Sequence, residues 1–458
     1  MPVDDLLTDL LACPRCDKSP LSSESGTLHC DACKVDFPAV QGIPWMFAEP
    51  EYSLAEWRNR LHLVLKQLGQ DVVRINNELK NKSLHELTVK RLEHQKTAAQ
   101  QHRETLQTIL KPVGVQASDT RYESFLALRT RLPSDQGLNT YYPNIHRDWS
   151  WGDEENEATL DQIRDALDGD QAFGDTLVPG AGAGRLAYDL HMQCQATSTV
   201  AFDFNPLLLL VADSMTRGET LEMYEFPIAP RTIEDVAVLR TLSADAPVRE
   251  GFRLVFGDVL RPPFAKGRFD TVVTPWLIDI VTEDLPDLAA RINCLLRPDG
   301  RWINLGSLTF SHPDFARKYS PEETLSIVEA AGFGPPRVRE AIIPYMCSPA
   351  SRHGRRETMF TFSARKTKDV KAPARYKALP DWLVTGRGAV PLSRSFRTQA
   401  TTTHIYGYLM SLIDGRRSIQ DMAKIMEEQK LMTRQEAEPA IRSFLTRMYD
   451  DSQRQARF

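Results

Sequence analysis

The sequence predicts a doubly wound α/β domain with a cysteine-bearing unit before it and a separate small domain after it. Three observations carry the prediction. Short apolar runs and helical runs alternate from Thr176 to Leu305, the pattern of a parallel sheet covered by helices on both faces. A glycine-rich turn, Gly180 to Gly184, stands between the first run and the first helix. Two Cys-x-x-Cys pairs, Cys13/Cys16 and Cys30/Cys33, lie near the start.

The chain of 458 residues has room for about three domains. Its net charge of −5 lacks the basic excess of a protein that coats nucleic acid. No apolar run reaches the roughly 18 residues that span a bilayer. Asp4, Asp5 and Asp9 stand where a signal peptide carries basic residues. The expectation is a cytoplasmic protein with neither nucleic acid nor membrane as a partner.

Residues 1–50 come first. Cys13-Pro-Arg-Cys16 and Cys30-Asp-Ala-Cys33 are thirteen residues apart. Each pair bends a short hairpin so that both sulfurs face one centre, and two pairs make the closed tetrahedral set of structural zinc. A redox motif needs only one pair, and a four-sulfur site keeps no open position for catalysis. A unit of about 50 residues has too little core to fold alone, and zinc offsets that deficit. Residues 51–115 read as a helical pair. Leu54, Trp57, Leu61, Leu65 and Leu68 recur at helical spacing, and a second run from Leu84 to Leu110 stops at Lys111-Pro112.

Residues 116–366 hold the α/β pattern. Thr176-Leu-Val178 is a strand and Arg185 to Met192 a helix. Further strands are predicted at Ser198–Phe202, Leu254–Phe256, Thr271–Val273 and Trp302–Leu305, with a helix from Leu285 to Leu296 and an insertion over 212–250. Gly180, Gly182 and Gly184 let the backbone approach a cofactor closely. Their spacing is not that of the dinucleotide loop, which cradles a pyrophosphate. It suits S-adenosylmethionine (SAM), which has none. Asp203 ends the second strand, nineteen residues past Gly184, where a carboxylate can accept from both ribose hydroxyls. Asp258 follows the third strand, where it can reach the adenine edge or simply form a turn. Arg185, Val259 and Pro275, at the helix start and beside the third and fourth strand ends, complete that set of contacts. The fold class is a Rossmann-like SAM-dependent methyltransferase with an N-terminal zinc ribbon and a helical segment.

Three resemblances sharpen this. Leu6-Leu7, Leu10-Leu-Ala-Cys13-Pro, Phe37-Pro38 and Gly42-Ile-Pro44 resemble the small zinc-ribbon activator subunits of methyltransferases, which implies that the ribbon pairs with the edge of a methyltransferase sheet. A ribbon that binds nucleic acid or another protein is the alternative. Residues 141–366 resemble the carnosine N-methyltransferase family through Arg147-Asp-Trp-Ser150, the Leu177–Ala187 loop, Gly257-Asp258, Ile278-Asp279, Leu296-Arg-Pro-Asp-Gly300 and Trp302-Ile-Asn-Leu-Gly306. The resemblance implies methyl transfer to an imidazole nitrogen. It makes Asn144 and Arg147 cofactor contacts, Arg147 pairing with the SAM carboxylate, and it makes Asp279 the carboxylate that holds the acceptor ring. A neutral imidazole has one N–H and one lone pair, so a carboxylate on the N–H aims the other nitrogen at the methyl group. Two departures stand out. The family's histidine falls on Ser311, with His312 next to it. Tyr345 matches, but an aromatic cluster that follows it has become Arg355-Arg356-Glu357, which suits a larger, acidic or backbone-extended acceptor. Asp279, His312 and Tyr345 are the candidate catalytic residues.

The third resemblance lies in residues 379–458. Thr403 to Gly415 and Ser418 to Met426 resemble PqqD-like domains, winged-helix-type α+β units that recognise peptides. A strand-like start, Ala389 to Phe396, precedes three helical runs. The expected substrate is a histidine-containing small molecule or dipeptide. The alternatives are a histidine in a peptide or protein recruited by this domain, and an RNA-binding scaffold with a vestigial cofactor fold.

Overall fold

The computed structural model describes residues 5–24, 26–114, 141–167, 172–311, 314–374, 382 and 388–456. The ribbon is a three-stranded antiparallel sheet of β1 (Ser22–Glu24), β2 (Thr27–Cys30) and β3 (Val35–Phe37). A two-stranded hairpin follows, β4 (Ala39–Val40) and β5 (Ile43–Met46). Gln41 and Gly42 both have positive φ, 55° and 82°, as a two-residue hairpin turn of primed type requires.

The hairpin does not stay with the ribbon. The remaining strands are β6 (Ala172–Pro179), β7 (Gln195–Asp203), β8 (Leu221–Glu225), β9 (Val238–Leu242), β10 (Phe252–Gly257), β11 (Phe269–Pro275), β12 (Leu296–Gly306), β13 (Arg337–Tyr345) and β14 (Arg355–Arg365). One large sheet runs in the order β13-β14-β12-β11-β6-β7-β10-β5-β4. From β5 to β12 the neighbours are parallel, and β14 and β13 are antiparallel additions. Phe256 pairs with Trp45 and Gly257 with Met46, so the ribbon's last strand extends the sheet. All four residues of β5 are buried, as in a strand covered on both faces. Leu11, Leu28 and Phe37 of the ribbon share one apolar cluster with Phe202, Val255 and Phe264. The edge pairing implied by resemblance is therefore present in cis.

The helices Pro50–Glu78 and Glu86–Ile109 pack on this body. Proline at the first position pre-sets the helical φ, and Trp57, Leu61 and Leu65 line one buried stripe. Trp57 reaches Phe204, with ring centroids 5.9 Å apart. Two features went unpredicted. The 212–250 insertion carries the β8–β9 hairpin. The strands β13 and β14 follow the last predicted one. Exposed charged residues on β13 interrupt its apolar signal, and the neighbouring β14 determines its pairing.

By compactness the chain divides into Met1–Ala378 and Leu379–Phe458. The described part of the second unit is helical: Arg394–Ser411, Ile419–Glu428 and Arg434–Ala456, around Leu409, Met422, Met426 and Ile441. The strand expected over Ala389–Phe396 is corrected. Ser393 accepts from the Phe396 N–H and caps a helix there instead. Among the described residues this unit has no strand, so the α+β wing is absent from them. No helix among the described residues is long and apolar enough to cross a membrane.

Candidate active site

The strand order reverses between β6 and β11, and ligands of open α/β sheets bind outside the carboxyl ends of strands at such a point. The glycine turn sits there. Gly180 and Ala181 donate to the Phe202 carbonyl at 2.8 and 3.2 Å, tying the turn to the end of β7. Gly180, Gly182 and Gly184 all have positive φ. A Cβ on Gly180 would stand 2.9 Å from Leu277, and one on Gly184 2.9 Å from Ala212. Nothing lies within 4 Å of the place a Cβ on Gly182 would take. The turn is packed at both ends and open in the middle, which fits a close-lying cofactor.

Asp203 closes on this turn. Its Oδ2 accepts from Gly182 N–H at 2.9 Å and its Oδ1 from Asn205 N–H at 2.9 Å. Burial pushes the carboxyl up to about 6, against the pull of those donors. Each oxygen keeps acceptor capacity for a ribose hydroxyl. Asp258 accepts from Leu260 N–H at 2.9 Å, a local turn, and burial raises its carboxyl. Val259 lines a cavity of about 10 Å³ with Leu177, Phe202 and Leu277. That space holds one water at most and is no cofactor pocket. Pro275 is half-buried at the end of β11.

Before the turn, the helix Tyr142–His146 runs into a π-turn, Arg147–Trp151. Asn144 is half-buried on that helix. Trp149 donates its indole N–H to the Ala183 carbonyl at 2.8 Å and pins the glycine turn. The Trp151 indole nitrogen is buried without a hydrogen-bond partner. Arg147 bonds Asp148 through Nε at 2.5 Å and Glu155 through Nη1 at 2.6 Å. Arg185, expected to contact the cofactor, is also bonded within the protein. Its Nε–H is shared between the two Asp189 carboxylate oxygens at 3.0 and 2.9 Å, its Nη1 donates to the Asp148 carbonyl, and its guanidinium lies over the Trp149 ring. Those bonds fasten the pre-loop segment to the first helix.

On the acceptor side, Asp279 is half-buried in the turn after β11. Its Oδ2 accepts from Thr309 N–H at 2.7 Å, which ties it to the loop after β12. Burial raises its carboxyl. Tyr345 ends β13, its ring 4.7 Å from Trp276. His312 lies outside the described residues. The contributions of Trp149, Glu155 and Trp276 had no separate signal in the sequence. Trp149 lies within Arg147-Asp-Trp-Ser150, but its partner is a backbone carbonyl 34 residues away.

At the ribbon, the four cysteine sulfurs lie within 4.8 Å of one another. A tetrahedral zinc with bonds of about 2.3 Å puts its sulfurs about 3.8 Å apart, and Cys16 and Cys30 stand at 3.5 Å. Burial raises the Cys13 and Cys33 thiols, so a bound cation is what makes the thiolate form favourable there. The donor set fits structural zinc.

A glycine turn at the switch point, with a buried acid closing on it from the next strand, defines the class: a Rossmann-like SAM-dependent methyltransferase domain, here braced by a zinc ribbon. Residues 136–368 match the model of the carnosine N-methyltransferase family, and residues 4–42 that of the Trm112p-like proteins. The chain belongs to the carnosine N-methyltransferase family. Carnosine N-methyltransferase unmet of Drosophila melanogaster is 28% identical over 232 residues, 45% of this chain and 50% of that protein. The chain thus spans about half the length of this curated relative. UPF0434 protein MS0934 of Mannheimia succiniciproducens is 42% identical over 55 residues, 12% of this chain and 90% of that protein. The Haemonchus contortus phosphoethanolamine N-methyltransferase 2 structure in complex with S-adenosyl-L-methionine is 13% identical, at TM-score 0.34, covering 55% of this chain and 61% of that one.

Proposed function

We propose that this protein methylates an imidazole nitrogen of a histidine-containing small molecule or dipeptide, with SAM as donor. The observation that carries the proposal is Asp279, a half-buried acid at the end of the cofactor strand, tethered to the loop after β12. Arg147, its guanidinium plane fixed by Asp148 and Glu155, would hold the cofactor carboxylate, and Asp203 the ribose. SAM supplies an electrophilic methyl carbon: the acceptor nitrogen's lone pair forms the N–C bond as the C–S bond breaks and its electrons pass to sulfur. Asp279 accepts the hydrogen bond of the other ring nitrogen. As the ring becomes cationic it gives that proton to Asp279, and a carboxyl raised by burial is the better base. Tyr345 and Trp276 wall the acceptor side, so positioning supplies much of the rate.

Asp279→Asn tests the assignment. Calorimetry should find SAM affinity unchanged, while kcat falls by about 10²- to 10⁴-fold, the usual worth of a general base. Normal turnover in that variant would sink the proposal.

A further inference from the structure

We infer that Arg355, where β14 leaves the turn from β13, reads a carboxylate on the acceptor and so sets the preference for charged over neutral imidazole compounds. The inference rests on the imidazole reading above.

Tyr345, the last residue of β13, stands opposite Arg355, the first of β14. The Arg355 guanidinium lies 4.5 Å over the Tyr345 ring, and that ring is 4.7 Å from Trp276. Trp276 follows the last residue of the cofactor strand β11. It is held at φ +48° with its N–H on the Leu305 carbonyl at 2.7 Å. Three planar groups therefore lead from the strand that ends at the cofactor site to the outer turn.

The turn is positive. Residues 346–357 carry Arg352, Arg355 and Arg356 against a single acid of their own, Glu357, which pairs with Arg355. Arg352 spends its bonds on the neutral carbonyls of Pro230 and Arg231, so its charge is uncompensated by them. The Arg355 side chain is still 57% exposed. An arginine stacked on an aromatic face keeps its N–H edge for a carboxylate, and the stack limits the freedom lost on binding.

The turn is also held in place. Met346 N–H donates to Glu155 at 2.7 Å. Arg231 N–H donates to the Ala350 carbonyl at 3.2 Å and Arg352 N–H to the Ala229 carbonyl at 2.7 Å, so the insertion loop braces it. Glu155 also binds Arg147, which couples the turn to the cofactor segment. A guanidinium fixed on the Tyr345 ring, next to Trp276, selects for an anion at a set distance from an acceptor ring seated there.

The test compares N-acetylhistidine with N-acetylhistidine amide, which share the ring and differ by the charge. Affinities come from calorimetry and kcat/KM from methyl transfer, in wild type, Arg355→Gln and Arg355→Lys. Wild type should prefer the acid by about tenfold, the order expected of one charge-assisted pair partly open to water. Arg355→Gln should bring that ratio close to one, through KM and not kcat, and Arg355→Lys should restore part of it. Equal affinity for acid and amide in wild type, or a preference that survives Arg355→Gln, overturns the carboxylate inference and leaves the imidazole assignment standing. Failure of both ligands to bind overturns the two together.

Discussion

Replacing Trp45 by alanine is expected to weaken the whole α/β body and not the ribbon alone. Trp45 is fully buried on β5, packed on Phe256 of β10 at 5.1 Å and on Phe47 at 4.8 Å. A buried aromatic side chain removes about 150–250 Å² from water, worth about 4–6 kcal/mol at about 25 cal/mol per Å². Measured truncations of this kind cost about 3–5 kcal/mol. The lost indole bond to Ser53 Oγ adds little, because that hydroxyl also bonds the Pro50 carbonyl at 3.0 Å. The expectation is about 4 kcal/mol, a large part of the roughly 5–15 kcal/mol that holds a domain folded. Trp45→Phe keeps the ring and should cost far less. The assay is urea unfolding followed by far-ultraviolet circular dichroism, with zinc present and after chelation. In the wild type, chelation should lower the midpoint of the whole transition. In Trp45→Ala the sheet should already be weakened, and chelation should add little. A loss below about 1 kcal/mol, far under the core-truncation range, or an undiminished chelator effect, would refute the view that β5 carries the ribbon's stability into the sheet.

Three other outcomes follow from the same structure. The Asp203 carboxyl sits at about 6, above its usual value, so it takes a proton as pH falls through 6 and loses an acceptor; SAM affinity measured by calorimetry should weaken below that pH, and Asp203→Asn should be weak and flat with pH. His146 is fully buried and held down to about 3 by that burial, and His102 down to about 4. The unfolded chain takes up these protons below about 6.5 while the folded chain does not, so their stability contribution is complete above that pH and is lost toward 3–4, at about 1.4 kcal/mol per pH unit for each group. His146→Phe should remove roughly 3 kcal/mol of the stability difference between pH 7 and pH 4.5, read from urea midpoints; an unchanged difference would contradict the burial argument. Removing residues 379–458, a separate compact unit, should leave methylation of small imidazole acceptors intact. A selective loss of methylation of longer histidine peptides would favour recruitment by that unit.

Much of this was legible along the chain because the chemistry is local. Cys13, Cys16, Cys30 and Cys33 lie in two short knuckles, and each hairpin aims its own pair of sulfurs. The glycine turn and Asp203 occupy successive strand ends of one βαβ unit, whose geometry is regular enough to count residues across. The predicted strands over 176–305 overlap those observed, because buried parallel strands read as continuous apolar runs. The segment that misled did so through a local signal that was outweighed. Ala389 to Phe396 has a strand-like composition, but the Ser393 cap makes its end a helix start.

What the sequence determined by itself, then, is the set of elements and the reactive side chains they carry: a zinc-type cysteine quartet, a cofactor turn and an acid after the fourth strand of the α/β pattern. The tertiary structure decided which partners hold the charged side chains in place. It gave Arg185 to Asp189 and Asp148, gave Arg147 to Asp148 and Glu155, and set Arg355 over Tyr345. It also decided that the ribbon is no appendage, since β5 completes the sheet beside β10. The physical reason is the same in each case. Local sequence sets backbone geometry over a few residues, whereas the partner of a buried charge or of a strand edge is chosen by whichever distant segment the fold brings to within a hydrogen bond of it.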